Sequence, residues 1–122
     1  NYQGKGPEQN AEYTWIDPDV VLNANAIREG DGGKIIVWSD LGTMYLGNIF
    51  ARGGELQGDG GLAEISGGQL VFAGKADVKA PFGLSGTVLL DPLDITIIDG
   101  LSSAGTWQSG AFQTDGTIRR LQ

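Results

Sequence analysis

The 122-residue chain contains no cysteine and no histidine. The first absence removes disulfides, thiol nucleophiles and every cysteine-based zinc site. The second removes the commonest general base, the commonest metal ligand and any Ser-His-Asp arrangement. Positive charge is scarce as well, with eight Lys and Arg against fifteen Asp and Glu and a net charge of −7. Such a surface is a poor partner for nucleic acid or an anionic membrane, because both are bound chiefly through their negative groups. No run approaches the roughly 18 apolar residues of a membrane-spanning helix, so membrane insertion is not expected, and no charged-then-apolar signal segment opens the chain. The start at Asn1 and the end at Arg119-Arg120-Leu121-Gln122 suggest a piece excised from a longer chain.

Glycine, by contrast, is abundant, with 21 residues, while hydrophobic residues make up 40% of the chain. That apolar content is too high for a disordered linker, so the composition describes a folded module rich in turns. The length suits one such module.

Internal repetition organises it. Gly30-Asp31-Gly32-Gly33 recurs 28 positions later as Gly58-Asp59-Gly60-Gly61. Lys34-Ile35-Ile36-Val37-Trp38 follows the first copy and Leu62-Ala63-Glu64-Ile65-Ser66 the second; a degenerate third copy runs Gly86-Thr87-Val88-Leu89-Leu90-Asp91. Downstream, Tyr45-Leu46-Gly47-Asn48-Ile49-Phe50-Ala51 aligns with Phe72-Ala73-Gly74-Lys75-Ala76-Asp77-Val78, and their offset of 27 implies one residue fewer in the second turn. A fainter echo pairs Trp15-Ile16-Asp17-Pro18 with Leu89-Leu90-Asp91-Pro92, with alternating residues following at Val20–Ala24 and Ile95–Ile98. Short β-branched or aromatic segments bounded by Gly, Asp, Ser and Pro are strands joined by turns. The one helix-compatible stretch, Leu22 to Glu29, is interrupted by Asn and reads better as another strand. Repeats of 25 to 28 residues built this way predict an all-β parallel β-helix of about three to five coils with little or no helix. Residues 14–100 would form the coils, 1–13 a covering arm or cap, and 101–122 a terminal coil or cap. The rival, a small sandwich, lacks the Asn-Gly hairpin signal.

Comparison of the rungs separates the two faces of each strand. Ile35, Val37, Ala63, Ile65, Val88 and Leu90 form one interior set; Tyr45, Gly47, Ile49, Ala51, Phe72, Gly74, Ala76 and Val78 form a second. Ile36, Trp38, Met44, Leu46 and Phe50 then point outward and make the first coil's outer face apolar, whereas Glu64, Asp77 and Lys79 face outward on the second. An apolar outer patch is either covered, here by the terminal segments, or is a contact surface for another chain or a ligand.

Catalytic and binding motifs are thin. Gly58-Asp59-Gly60-Gly61-Leu62-Ala63 matches the dinucleotide pattern in form, but a strand and not a helix follows, so its glycines are turn residues. Asp31 and Asp59 sit where turn carboxylates bind calcium in some solenoids, yet one Asp per turn supplies few ligands, and a structural role is the better reading. No spacing among Asp17, Asp19, Glu64, Asp77, Asp91, Asp94 and Asp99 selects a catalytic pair. Trp15 and Trp107 are read as packing residues. No cofactor is expected, and no enzymatic activity.

The ordered string Gly30–Asp40, Gly47–Gly54, Gly58–Gly67, Ala80-Pro81 and Gly86–Pro92 with Ile95-Thr96-Ile97 resembles the filamentous-haemagglutinin-like exoproteins of two-partner secretion, over roughly residues 14 to 100. The resemblance implies a right-handed parallel β-helix within a large secreted adhesin of the bacterial cell surface, exported through an outer-membrane pore partner. The Asn-Pro-Asn-Gly or Asn-Pro-Asn-Leu signals of the secretion domain are missing, so the segment belongs to the shaft or further out. The expected partners are a host or surface receptor or a glycan, and a short open-ended solenoid of this kind could also self-associate end to end. A carbohydrate-binding or polysaccharide-cleaving β-helix module is the alternative.

Overall fold

A computed structural model describes residues 1–94 and, beyond them, three strands at Gly105–Gln108, Ala111–Thr114 and Thr117–Arg119. The expected rung at Ile95–Ile98 and the carboxylate Asp99 lie outside the described residues. The chain is all-β, with about three turns of a parallel β-solenoid, and among the described residues the helical content is one 3-10 turn at Tyr2–Gly4.

Two parallel stacks build the coils. The first contains β1 (Ala11–Ile16), β3 (Lys34–Tyr45), β5 (Leu62–Phe72) and β7 (Thr87–Asp94). The second contains β2 (Val21–Asn23), β4 (Asn48–Phe50) and β6 (Lys75–Asp77). β10 (Thr117–Arg119) pairs in parallel with β7, and β9 (Ala111–Thr114) and β8 (Gly105–Gln108) follow antiparallel, which makes the first sheet seven-stranded.

The register is the one the repeat dictates. Lys34 pairs with Leu62 and Leu62 with Thr87, while Tyr45 pairs with Phe72 and Asn48 with Lys75. The change in offset along β3 and β5 is a bulge: Ser39 pairs with Gly67, but Gly42 pairs with Gln69. The extra residue leaves Asp40 and Leu41 exposed and turns Ser39 and Thr43 inward. Two hydroxyls buried side by side need partners. Thr43 donates to the Ser66 carbonyl at 2.7 Å, so Ser39 supplies the proton in its 2.7 Å bond to Thr43 Oγ1. Gly67 leaves them room, since a Cβ there would lie 2.9 Å from Thr43 Oγ1.

Alternation along these strands places Val37, Ala63, Ile65 and Val88 in one buried column and Tyr45, Ile49, Ala51 and Val78 beside it. Ile35, Phe72, Ala76, Leu90, Ile16 and Leu22 pack against this core at its margins. Each buried Val and Ile side chain here contributes about 1.5–3 kcal/mol relative to exposure. At Gly74 the Gly47 carbonyl occupies the place a Cβ would take, and the same carbonyl accepts the Lys75 N–H at 3.0 Å. This approach requires glycine at 74, and at Gly47 a Cβ would in turn lie 2.5 Å from the Val20 carbonyl.

Two expectations need correction. The echo between Trp15-Ile16 and Leu89-Leu90 is not a structural equivalence: Trp15 and Ile16 pair with Met44 and Tyr45, whereas Leu89 and Leu90 pair with Glu64 and Ile65. An apolar pair before Asp-Pro is a strand-ending signal and carries no register of its own. Glu64 leaves β5 on the outward side, as alternation assigns it, yet it is not solvated but fully buried.

Candidate contact surface

The outer faces of the rungs carry the candidate contact residues, and the bulge in β3 divides them. Ile36 and Trp38 lie before it; Met44 lies after it, and Leu46 follows directly on β3. Phe50 stands in β4, in the three-stranded sheet, between Asn23 and Asp77. All five are half-buried. They therefore form three local surfaces and not one continuous face.

Around Met44 the surface is apolar across three strands. Trp15 of β1, Met44 of β3 and Val71 of β5 occupy one ladder, with Trp15 64% and Val71 49% exposed. Trp15 is thus a surface residue on an edge strand and not a packing residue. Its indole N–H is fixed by a 2.7 Å bond to Asp17 Oδ1. Tyr13, two residues earlier on the same face, is 70% exposed, and its ring lies over Gly42. Strand geometry separates Tyr13 from Trp15 by roughly 7 Å, so the two rings form a short aromatic strip with Gln69 exposed beside it.

Around Trp38 the arrangement differs, because residues 1–10 lie across it. Gly4 sits against the indole so closely that a Cβ would come within 2.6 Å of Trp38 Cε2. The Gln3 N–H donates to both carboxylate oxygens of Glu64, at 3.1 and 3.0 Å. Asp40 Oδ1 accepts from the Trp38 indole at 3.1 Å and from Asn10 Nδ2 at 2.9 Å. The segment is braced internally by Asn1, whose Nδ2 donates to Asn10 Oδ1 and to the Glu8 carbonyl, both at 2.6 Å. Gln3 holds a positive φ of 52°, which a non-glycine residue adopts only when its surroundings enforce it. Burial raises the Glu64 carboxyl above the usual glutamate range, more than the Gln3 N–H holds it down; the Asp91 charge raises it further, while Ser66 and the chain's amino terminus lower it.

Asp31 and Asp59 stack at one corner, as their repeat implies. Asp31 Oδ1 accepts the Asp59 N–H and Asp59 Oδ1 accepts the Leu84 N–H, each at 2.8 Å. Each side chain thereby ties its own turn to the turn of the next coil. Among the described residues no group of three or more Asp and Glu gathers to hold a metal ion. Substituting Asp31 or Asp59 with Ala is expected to cost about 1 kcal/mol each, with Asn retaining most of it, since one side-chain bond to an exposed backbone N–H is lost. Urea unfolding of the two pairs of variants measures this; an Asn variant as weak as Ala would mean that the hydrogen bond is not what holds the corner.

No family model, curated protein or solved structure matches the chain.

Proposed function

We propose that this chain is a non-catalytic segment of a large secreted bacterial adhesin of the filamentous-haemagglutinin-like kind, a rigid spacer that also offers contact surface at the cell exterior. The observation that carries the reading is the in-register stacking of the repeats: the residues of the resemblance, from Gly30 through Gly86, fall at equivalent positions of successive coils. A stack whose corners are tied by Asp31 and Asp59 and whose interior is one continuous column transmits force along its axis through parallel backbone ladders. On this reading the parent protein leaves the cell through an outer-membrane pore partner and meets a receptor or glycan outside. Among the described strands β1 and β2 stand at the edges of their sheets at one end, and end-to-end association would begin there.

The exposed Tyr13–Trp15 strip favours a second reading, a carbohydrate-binding module, because aromatic rings with an apolar face and a polar edge suit sugar surfaces. Beads coated with the protein, tested for attachment to cells and to arrayed glycans and assayed for release of reducing sugar, separate the possibilities. Attachment without sugar release is the expected result. Release that disappears on substituting an Asp or Glu would overturn the non-catalytic reading. Trp15→Ala is expected to weaken glycan retention at least severalfold if the aromatic strip is the contact, while stability stays within about 0.5 kcal/mol because the side chain is mostly exposed. Retention unchanged in Trp15→Ala and in Tyr13→Ala would exclude the strip.

A further inference from the structure

The aromatic strip on β1 is held in place by its neighbours on β3 and by the turn that follows it. Two ladders cross three strands there, Tyr13 with Gly42 and Gln69 in one, Trp15 with Met44 and Val71 in the next. Gly42 makes the first possible. Cδ1 and Cε1 of Tyr13 lie 3.3 and 3.4 Å from where a Cβ on Gly42 would stand, so the ring reaches from β1 over the bare backbone of β3, and a branched side chain there would push it aside. Asp17 sets the second. Its Oδ1 holds the Trp15 indole N–H at 2.7 Å, and its other oxygen accepts no hydrogen bond among the described residues. Asp17 is exposed, as is Gln69 beyond Gly42, so each end of the apolar strip carries a polar group open to solvent.

Size and charge narrow what fits such a surface. With strands roughly 4.8 Å apart and ladders roughly 7 Å apart, two ladders over three strands cover on the order of 200 Å². A second copy of this chain, or any stably held protein partner, needs about 800 Å² on each side. A few sugar rings match the smaller area. None of the chain's eight Lys and Arg stands on either ladder, and the charge beside them is the Asp17 carboxylate. Sulfated, sialylated and uronic glycans would find no cation here and would be repelled by Asp17, on a chain of net charge −7.

Resting on the carbohydrate reading of this strip, we propose that Tyr13, Trp15 and Asp17 form a binding site selective for uncharged glycan chains. The two rings stack against the C–H faces of successive sugars. Asp17 accepts a sugar hydroxyl on its free oxygen, and a bond to an ionised acceptor is stronger than one to a neutral group. Gln69 offers a donor and an acceptor at the other end. The same carboxylate thus strengthens the hold on a neutral, hydroxyl-rich chain and excludes an anionic one. Gly42 is a positioning residue, acting through the Tyr13 ring.

The test passes the full chain over immobilised neutral glycans (cellulose, chitin and a β-1,3-glucan) and anionic ones (heparin, hyaluronan and polygalacturonate), at low and at physiological salt, with far-UV circular dichroism showing that each variant is folded. Retention is expected on at least one neutral glycan and on none of the anionic set. Asp17→Asn keeps an acceptor for the indole but loses the charge, and should weaken neutral-glycan retention severalfold. Gly42→Val leaves every contacting side chain present but displaces the Tyr13 ring, and should weaken it as Tyr13→Ala does; Asp17→Asn serves if Gly42→Val does not fold. Retention on an anionic glycan that Trp15→Ala abolishes would overturn the selectivity and leave the carbohydrate reading standing. Retention on no glycan of either set would overturn both. Neutral-glycan retention that Asp17→Asn leaves unchanged would overturn the site as assigned, whatever Trp15→Ala does.

Discussion

Gly58→Ala should destabilise the protein well beyond Gly30→Ala, although the two glycines hold the same place in successive repeats. Both have a φ that other residues avoid, +111° at Gly30 and +118° at Gly58. Forcing alanine into such a conformation costs about 1–3 kcal/mol at either site. The space around them differs. Nothing lies within 4 Å of a Cβ built on Gly30, which belongs to the first coil's corner. At Gly58 the Cβ runs into the Gly30 carbonyl, with the Asp31 amide nitrogen at 3.0 Å. These are backbone atoms of the coil beneath, held by the Asp59 N–H bond to Asp31 and by the Gly30 N–H bond to the Gln57 carbonyl at 3.0 Å. They cannot swing aside as a side chain would, so overpacking adds about another 1–3 kcal/mol or more. Against a total stability of about 5–15 kcal/mol, Gly58→Ala approaches the loss of the fold whereas Gly30→Ala remains folded. Urea midpoints of the two variants measure the difference. Equal losses would mean that the strain is conformational only and that the coils do not meet at this corner as closely as described.

The same contrast explains why the coils were legible and the surface was not. Repetition exposes whatever every coil must satisfy. Gly58 over Gly30 recurs because both hold a positive φ, Gly74 over Gly47 because a Cβ at either would meet a carbonyl of the coil beneath, and Ile65 over Val37 because both point inward. The bulge was legible too, as a change of spacing from 28 to 27 between the two halves of the repeat. Alternation within a strand tells which way a side chain leaves the backbone, and it did so correctly for Val37, Tyr45, Ile49 and Val78. It does not tell what lies on the far side. Glu64 leaves β5 outward, as alternation requires, and is nevertheless buried, because a non-repeating segment, with Gln3 61 residues away in sequence, crosses over it. The one available signal was the company it keeps: a single carboxylate flanked on its ladder by Ile36 and Leu89, both outward and apolar, describes a covered strip better than a solvated one. Trp15 failed in the opposite sense. It sits on a strand at the edge of the first sheet among the described residues, and edges are invisible to a comparison between rungs. The Ser39–Thr43 pair escaped for a third reason: two hydroxyls look like turn residues until the bulge brings them together.

Tyr45→Ala is the second large loss expected, and its conservative partner separates volume from polarity. Tyr45 is fully buried at the junction of the two stacks; its ring lies 5.8 Å from that of Phe72 at 35°, and its hydroxyl donates to the Asn48 carbonyl at 3.3 Å. Removing the ring leaves a cavity among Phe72, Ile49 and the marginal residues of the first coil, at a cost of about 3–5 kcal/mol. Tyr45→Phe keeps the ring and gives up one long hydrogen bond, about 0.5–1.5 kcal/mol. The two also differ in alkali. Burial raises the Tyr45 hydroxyl above the usual tyrosine range. Its neutral form thus favours the folded state, the contribution is complete below about pH 10, and it is lost as pH rises through the folded-state value. The parent should accordingly unfold more readily above about pH 10 than at neutrality, whereas Tyr45→Phe, which has nothing to ionise at this site, should lose less over the same interval and become the more stable of the two in strong alkali. Denaturant unfolding of both proteins at neutral and at high pH decides it. A constant gap between them across the alkaline range would show that Tyr45 ionises no differently in the folded chain than in the unfolded one, and that the stacking of the ring, without the shielding of the hydroxyl, is what this position contributes.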